Sequence, residues 1–179
     1  MMGMVFTELL DMVEAQHSLD MVDAVVARAG ARGVYTSVGD YADDELTRLV
    51  EALSVESGLA VPDLLHAYGV HLFARFVTLY PAYVTPHADA LSFLHGLESR
   101  VHTEVRKLYA AARPPLFTTT VAPDGAVLLD YASARGLWRF AAGLLDACLA
   151  HYGGSLRVDG VEDLSGGAGT HVRFRLVPT

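Results

Sequence analysis

The stretch PPLFTTTVAPDGAVLLDYASAR, residues 114–135, is where the chain changes character. Two consecutive prolines forbid helix, because each lacks an amide hydrogen and restricts the residue before it. Phe117 to Val121 is then β-branched and threonine-rich, Asp124-Gly125 is a hairpin turn, and Ala126 to Tyr131 reads as a second strand. Downstream, Arg135 to His151 returns to helical spacing, with Leu137, Phe140, Leu144, Leu145 and Cys148 on one side and Gly153-Gly154 as the stop. Leu156 to Val161 and Val172 to Val177 read as two more strands, joined across residues 165–169.

Upstream of the prolines the reading is helical. Val5, Leu9, Met12 and Val13 recur at helical spacing, as do Leu19, Val22, Val25 and Val26, with Gly30 and Gly33 closing the second segment. Acids at Asp43-Asp44-Glu45 open a third helix. Pro62 opens a fourth, whose stripe Leu65, Tyr68, Leu72, Phe76 and Leu79 ends at Pro81. A fifth is expected from about Ala88 to Ala111, with a break near Gly96. The expected class is therefore α+β: a helical N-terminal subdomain, about residues 1–60, packed on a mixed subdomain, about 61–179, that carries helices and a four-stranded antiparallel sheet.

The 179 residues allow one domain, and 52% of them are hydrophobic. That exceeds the roughly 45–50% of an average soluble domain and calls for a buried interface or an apolar cavity. Thirteen Lys and Arg against 21 Asp and Glu leave a net charge of −8, which argues against nucleic acid as a partner. The single cysteine, Cys148, excludes an internal disulfide and any cysteine-based zinc or iron–sulfur centre within one chain, and fits a reducing compartment. The N-terminus lacks a basic region and a cleavage site, and no apolar run approaches the ~18–20 residues of a membrane span. A cytoplasmic protein without membrane contact is expected.

Three constellations carry chemistry. Tyr131, Ser133 and Arg135 alternate along an extended segment, so two hydroxyls and a guanidinium face one side, a set suited to a carboxylate or phosphate. Ser133 equally suits the N-cap of a helix starting at Ala134, with Arg135 in solvent, and such a cap does not exclude the site. His102 stands at the edge of an apolar helical stripe, where a neutral imidazole can ligate a metal or haem iron or simply satisfy its hydrogen bonds. His95, Glu98 and His102 share a helix face at i, i+3 and i+7, a spacing that can hold a divalent metal. No phosphate-binding glycine loop, nucleophile elbow or zincin motif occurs, and Cys148 in its apolar stripe reads as inert packing.

Taken in order, these residues resemble the H-NOX family of haem-based nitric oxide and oxygen sensors, which also supplies the haem domain of soluble guanylate cyclase. The resemblance runs from Met1 and Gly3 through Gly33-Val34-Tyr35, Gly69 and Tyr80-Pro81. Its diagnostic part is Val101-His102, Pro114-Pro115 and the Y-x-S-x-R of Tyr131, Ser133 and Arg135. It implies a haem b between the two subdomains, His102 as proximal iron ligand, and Tyr131, Ser133 and Arg135 on the propionates. Pro115 would press on the porphyrin. Val5, Leu9, Leu72, Phe76, Phe140, Leu144, Leu137 and Cys148 would line the slot, each of them also explicable as ordinary core.

The resemblance also implies a ligand preference. Oxygen-binding members carry a distal tyrosine where this chain has Phe140, and a supporting amide where it has Leu72. Bound O₂ needs a hydrogen-bond donor, whereas NO on ferrous iron largely does not, so NO and CO are expected as ligands and a stable O₂ complex is not. Tyr68 and His71 share the Leu72 helix and are the candidates for an inward donor. The leading expectation is a non-catalytic sensor that releases His102 on binding NO. It would signal to a separate partner, by resemblance a sensor histidine kinase or a cyclic-di-GMP enzyme, since the chain leaves no room for an output domain. A haem or metal enzyme built on His95, Glu98 and His102, and a metal-free module with an apolar groove for peptide or lipid, are the alternatives.

Overall fold

The computed structural model describes residues 1–109 and 112–179. Four helices come first: α1 (Met4–Gln16), α2 (Leu19–Ala29), α3 (Asp43–Ser57) and the long α4 (Val61–Leu79). Ser18 caps α2 by accepting the Met21 amide, and Gly30 ends it at φ 56°, a left-handed position that a Cβ would strain. Pro81 closes α4 and also opens the single turn α5 (Pro81–Val84). The short helix α6 (Ala90–Gly96), a π-helical segment (Leu97–His102) and α7 (Thr103–Leu108) follow end to end.

The hairpin stands where the proline break placed it: β1 (Leu116–Val121) and β2 (Val127–Ala132), with Gly125 at φ 85° in the turn. Helix α8 (Trp138–His151) crosses to β3 (Leu156–Asp163) and β4 (His171–Pro178). The four strands form one antiparallel sheet in the order β1-β2-β4-β3. The fold is the expected α+β.

Two expectations differ in detail. The helix expected over Ala88 to Ala111 is three pieces, starting at Ala90, where Asp89 accepts the Ser92 amide. Its middle turn is π-helical, and its expected end at Ala111 lies outside the described residues. The last helix starts at Trp138, not Ala134, because Gly136 takes φ 64° and turns the chain before the helix begins. Ser133 therefore does not cap it; its hydroxyl accepts the Arg135 amide within that turn.

Two hydrophobic cores result. One gathers Phe6, Leu9, Val13, Val25, Leu46, Leu49 and Leu53 from α1–α3. The other sets the inward residues Leu129, Tyr131, Val172, Phe174 and Leu176 of the sheet against Ala141, Leu145, Cys148 and Leu149 of α8. Burying each such large aliphatic side chain contributes about 1.5–3 kcal/mol. Helix α4 belongs to both, giving Leu64, Tyr68 and Leu72 to the first and Phe73 to the second. It crosses α8 at two glycines: a Cβ on Gly69 would lie 2.2 Å from the Phe140 carbonyl oxygen, and one on Gly143 2.0 Å from that of His66. This close crossing fixes where Phe140 and Leu144 meet Leu72.

Candidate functional site

A cavity of about 350 Å³ opens between the two cores. Helix α4 contributes Leu72, Phe73 and Phe76 to its wall, α1 contributes Met4 and Val5, and α8 contributes Phe140, Ala141, Leu144, Leu145 and Cys148. Leu137 lines it from the α8 N-cap position. The opposite wall is Leu97, Val101, His102 and Val105 of the π segment and α7, Pro114-Pro115, and Phe117, Leu129 and Tyr131 of the hairpin. Arg135 also reaches it. Apolar walls with a few convergent polar groups are the usual make-up of a small-molecule site.

Of the residues the sequence offered, Leu9 and Ser133 do not line the cavity. Leu9 is one helical turn beyond Val5, and that turn carries it into the α1–α3 core. Ser133 is folded back on the Arg135 amide. Other wall residues carried a signal in the sequence: Phe73 and Tyr80 extend the α4 stripe, and Phe117 and Leu129 alternate inward along their strands. Met1 entered only as the start of the resemblance, and Met2 carried no signal. They are drawn in by contacts distant in sequence, a Met2–Asp40 bridge and an N-terminal ammonium 3.0 Å from Asp40 and 3.1 Å from Asp43.

His102 is the imidazole in the wall, and its ring is held. Glu98 Oε1 lies 2.5 Å from Nδ1, which makes Nε2 the nitrogen left for a ligand bond. Burial pushes the imidazole pKa down, the Glu98 carboxylate pulls it back up, and the balance lies below the usual histidine value. A neutral ring is the form that ligates metal. Glu98 is itself fixed from two further directions, by Arg106 at 3.0 Å and by the Phe117 amide at 3.2 Å. Burial raises its carboxyl, but these three hydrogen bonds outweigh burial and hold it below the usual carboxylate range.

The π-helical segment decides between two readings of Glu98. A π turn takes more residues than an α turn, so positions seven apart lose their common face. Among the described residues no three His, Cys, Asp or Glu side chains come together as a metal site, so the triplet His95, Glu98 and His102 is not assembled. The Thr103 hydroxyl satisfies the Glu98 carbonyl at 2.9 Å, which helps the wide turn persist.

Arg135 donates to the Arg113 carbonyl at 2.7 Å and lies 3.6 Å from Asp43, whose carboxylate also meets the N-terminal ammonium. Its five donors leave some for a carboxylate guest. Burial raises the Tyr131 phenol pKa, while Ser133 and Arg135 beside it lower it. The α1–α4 side has no inward donor from either candidate. Tyr68 is fully buried, stacks on Phe140 and donates its hydroxyl to the Val5 carbonyl. His71 turns to Glu8, 3.6 Å from its carboxylate, and does not line the cavity. Cys148 does line it, with burial pushing its thiol up to about 12, so it is no nucleophile near neutral pH.

Comparisons with known proteins agree with this geometry. The family model described as haem-NO-binding matches residues 2–159. The chain is similar to the Fe(II) unliganded H-NOX protein of K. algicida, at 31% identity and TM-score 0.91 over 100% of this chain and 97% of that one. The Fe(II)NO form of an H-NOX protein from S. oneidensis superposes with TM-score 0.90 at 26% identity, over 100% and 99% of the two chains. The H-NOX of Shewanella woodyi, in the Fe(II)CO state with IWP-051 bound, gives TM-score 0.84 at 32% identity, over 100% and 95%. No curated protein matches the chain.

Proposed function

The chain belongs to the haem-NO-binding (H-NOX) family, and from that premise we propose that it is a ferrous-haem NO sensor whose iron ligand is His102. The observation that carries the reading is the held imidazole: Nδ1 is occupied by Glu98, and the ring stands in an otherwise apolar wall facing α4 and α8. The donor set suits the group. One neutral nitrogen serves an iron, two apolar walls serve a porphyrin, and Arg135 and Tyr131 at one end serve carboxylates, with Ser133 beside them. Pro115 lines the same cavity as His102 and would bear on the ring.

Haem, held by His102 with Arg135 and Tyr131 on its carboxylates, would supply a ferrous iron able to bind NO. The protein's part is to position and to release. Val5, Leu72, Phe76, Phe140 and Leu144 exclude water and offer a diatomic ligand no hydrogen bond. His102 stands on the π segment that runs into α7, and a change in its hold would leave these free to move relative to β1, a two-state element that a ligand could bias. The signal would pass to a separate protein, a sensor histidine kinase or a cyclic-di-GMP enzyme, by analogy with the family. No helix among the described residues is long and apolar enough to cross a membrane.

Absorption spectra of the reduced protein under argon, CO and NO test this. A Soret band that moves on adding CO and becomes that of a five-coordinate NO complex is expected. Colourless protein from haem-replete cells would overturn the haem assignment and favour an apolar-groove module. Rapid turnover of peroxide would favour an enzyme instead.

A further inference from the structure

Glu98 makes more contacts than an imidazole partner needs. Its Oε1 takes both the His102 ring and the Phe117 amide, and its Oε2 takes Arg106. Phe117 belongs to β1, an edge strand, and stands opposite Tyr131 of β2. One carboxylate thus ties the iron-ligand candidate to the edge strand β1 and to the last turn of α7. The other edge strand, β3, is protected differently, by Arg157, Asp159, Glu162 and a register shift at Val158/Gly160. β1 has no charged residue, and at Phe117 its edge is covered by Glu98 alone among the described hydrogen bonds.

We infer that Glu98 is a positioning residue with two linked effects: it strengthens the His102–iron bond, and it relays any movement of His102 to the β1 edge. The inference rests on His102 being the ligand. A carboxylate accepting Nδ1–H pulls electron density toward Nε2 and makes the ring a better donor to iron. It also fixes the ring plane, so less order is lost when the bond forms. The same carboxylate is shared with Arg106, which draws negative charge away from the imidazole. Arg106 therefore limits how strongly Glu98 can pull. Any shift of the helix that carries His102 would make the Glu98 carboxylate stretch or abandon the Phe117 amide. The Phe117 amide would then lose the one partner it has among the described hydrogen bonds.

Two variants give opposite signs, which ordinary loss of structure would not do. In the reduced, haem-loaded protein, Glu98→Gln should lower the iron–imidazole stretching frequency in resonance Raman spectra, and Arg106→Ala should raise it. Haem affinity of Glu98→Gln should fall about tenfold, the lower end of what loss of such a partner costs a metal site. A second readout does not look at the iron: amide hydrogen exchange at Phe117 should speed up in Glu98→Gln and, in the haem-loaded parent, on adding NO. Unchanged frequencies in both variants, or shifts of the same sign, would overturn the inference, as would a Phe117 amide indifferent to both Glu98→Gln and NO. A parent protein without an iron–imidazole band, or a His102→Ala variant that keeps it, would instead sink the assignment of His102 as ligand.

Discussion

Tyr68 and Phe140 lie stacked, ring centroids 5.0 Å apart at 23°, and only Phe140 lines the cavity. Tyr68, behind it, donates its hydroxyl to the Val5 carbonyl. Burial, with Glu8 nearby, pushes that phenol far above its ordinary pKa, so it stays a neutral donor bound to the backbone of α1.

The first expectation concerns gas selectivity. A hydrogen bond to a charge-bearing ligand is worth roughly 1.5–3 kcal/mol, or about one to two decades in affinity. With no donor from Leu72 or Phe140, O₂ would lose that, whereas NO and CO would not depend on it. The reduced protein should bind NO and CO and form no stable O₂ complex in air, as read from its visible spectra. Phe140→Tyr adds a hydroxyl to a ring already in the wall and should slow O₂ dissociation by about one to two decades. Reversible O₂ binding by the parent would point to an unrecognised donor, with Tyr68→Phe and His71→Leu the variants to separate the two candidates.

His102→Ala should lose most of its bound haem, and millimolar imidazole should restore a ferrous five-coordinate spectrum. The vacated volume opposite Phe117 accepts an imidazole, and Glu98 remains to orient it. An unchanged spectrum without imidazole would transfer the ligand role to another histidine.

The propionate end separates two neighbours in sequence. Arg135→Ala removes a guanidinium that lines the cavity and ties Arg113 and Asp43 together. Ser133→Ala removes one neutral hydrogen bond within a turn. A charge-assisted pair is worth about 1.5–3 kcal/mol against about 1 for a neutral bond. Haem transfer to a high-affinity acceptor protein should therefore be faster from Arg135→Ala than from Ser133→Ala. Equal rates in both variants and the parent would mean that the carboxylates lie elsewhere.

Much of this architecture was legible in the chain because it depends on local chemistry. The Pro114-Pro115 break, the Asp124-Gly125 turn and the alternation through Leu129 and Tyr131 are short-range features, and each marks its element within a residue or two. The π turn was not legible. Leu97–His102 has ordinary helical composition, and what holds it wide is the Thr103 hydroxyl on the Glu98 carbonyl and the grip of Glu98 on a strand 19 residues away. Leu9 was misplaced for a related reason. Periodicity assigns a face, but the distance along α1 at which that face leaves the cavity is set by the α1–α4 crossing, where Glu8 meets Arg75 at 2.7 Å. The N-terminal methionines depend on the Asp40 and Asp43 contacts with the terminal ammonium, which no periodicity records.

The last expectation tests the sheet rather than the cavity. Asp130 of β2 receives Arg173 of β4 in a two-point contact, 2.7 and 2.8 Å, with His171 at 3.9 Å. The Arg173 hydrogen bonds outweigh partial burial and hold the Asp130 carboxyl below its ordinary value of 3.8. A folded value lower than the unfolded one means that the pair contributes stability above the unfolded pKa and loses it as pH falls through the folded pKa. Asp130→Asn should therefore lower the thermal midpoint near neutral pH, by an amount corresponding to about 1 kcal/mol for a partly exposed pair of good geometry. The gap between parent and variant should close as the pH drops below about 4, where the unfolded carboxyl is already protonated. Circular dichroism melts across that range check it. A gap of constant size at every pH would mean that the variant acts through packing against Leu128 and Arg175 in the adjoining register, and not through the charge on Asp130.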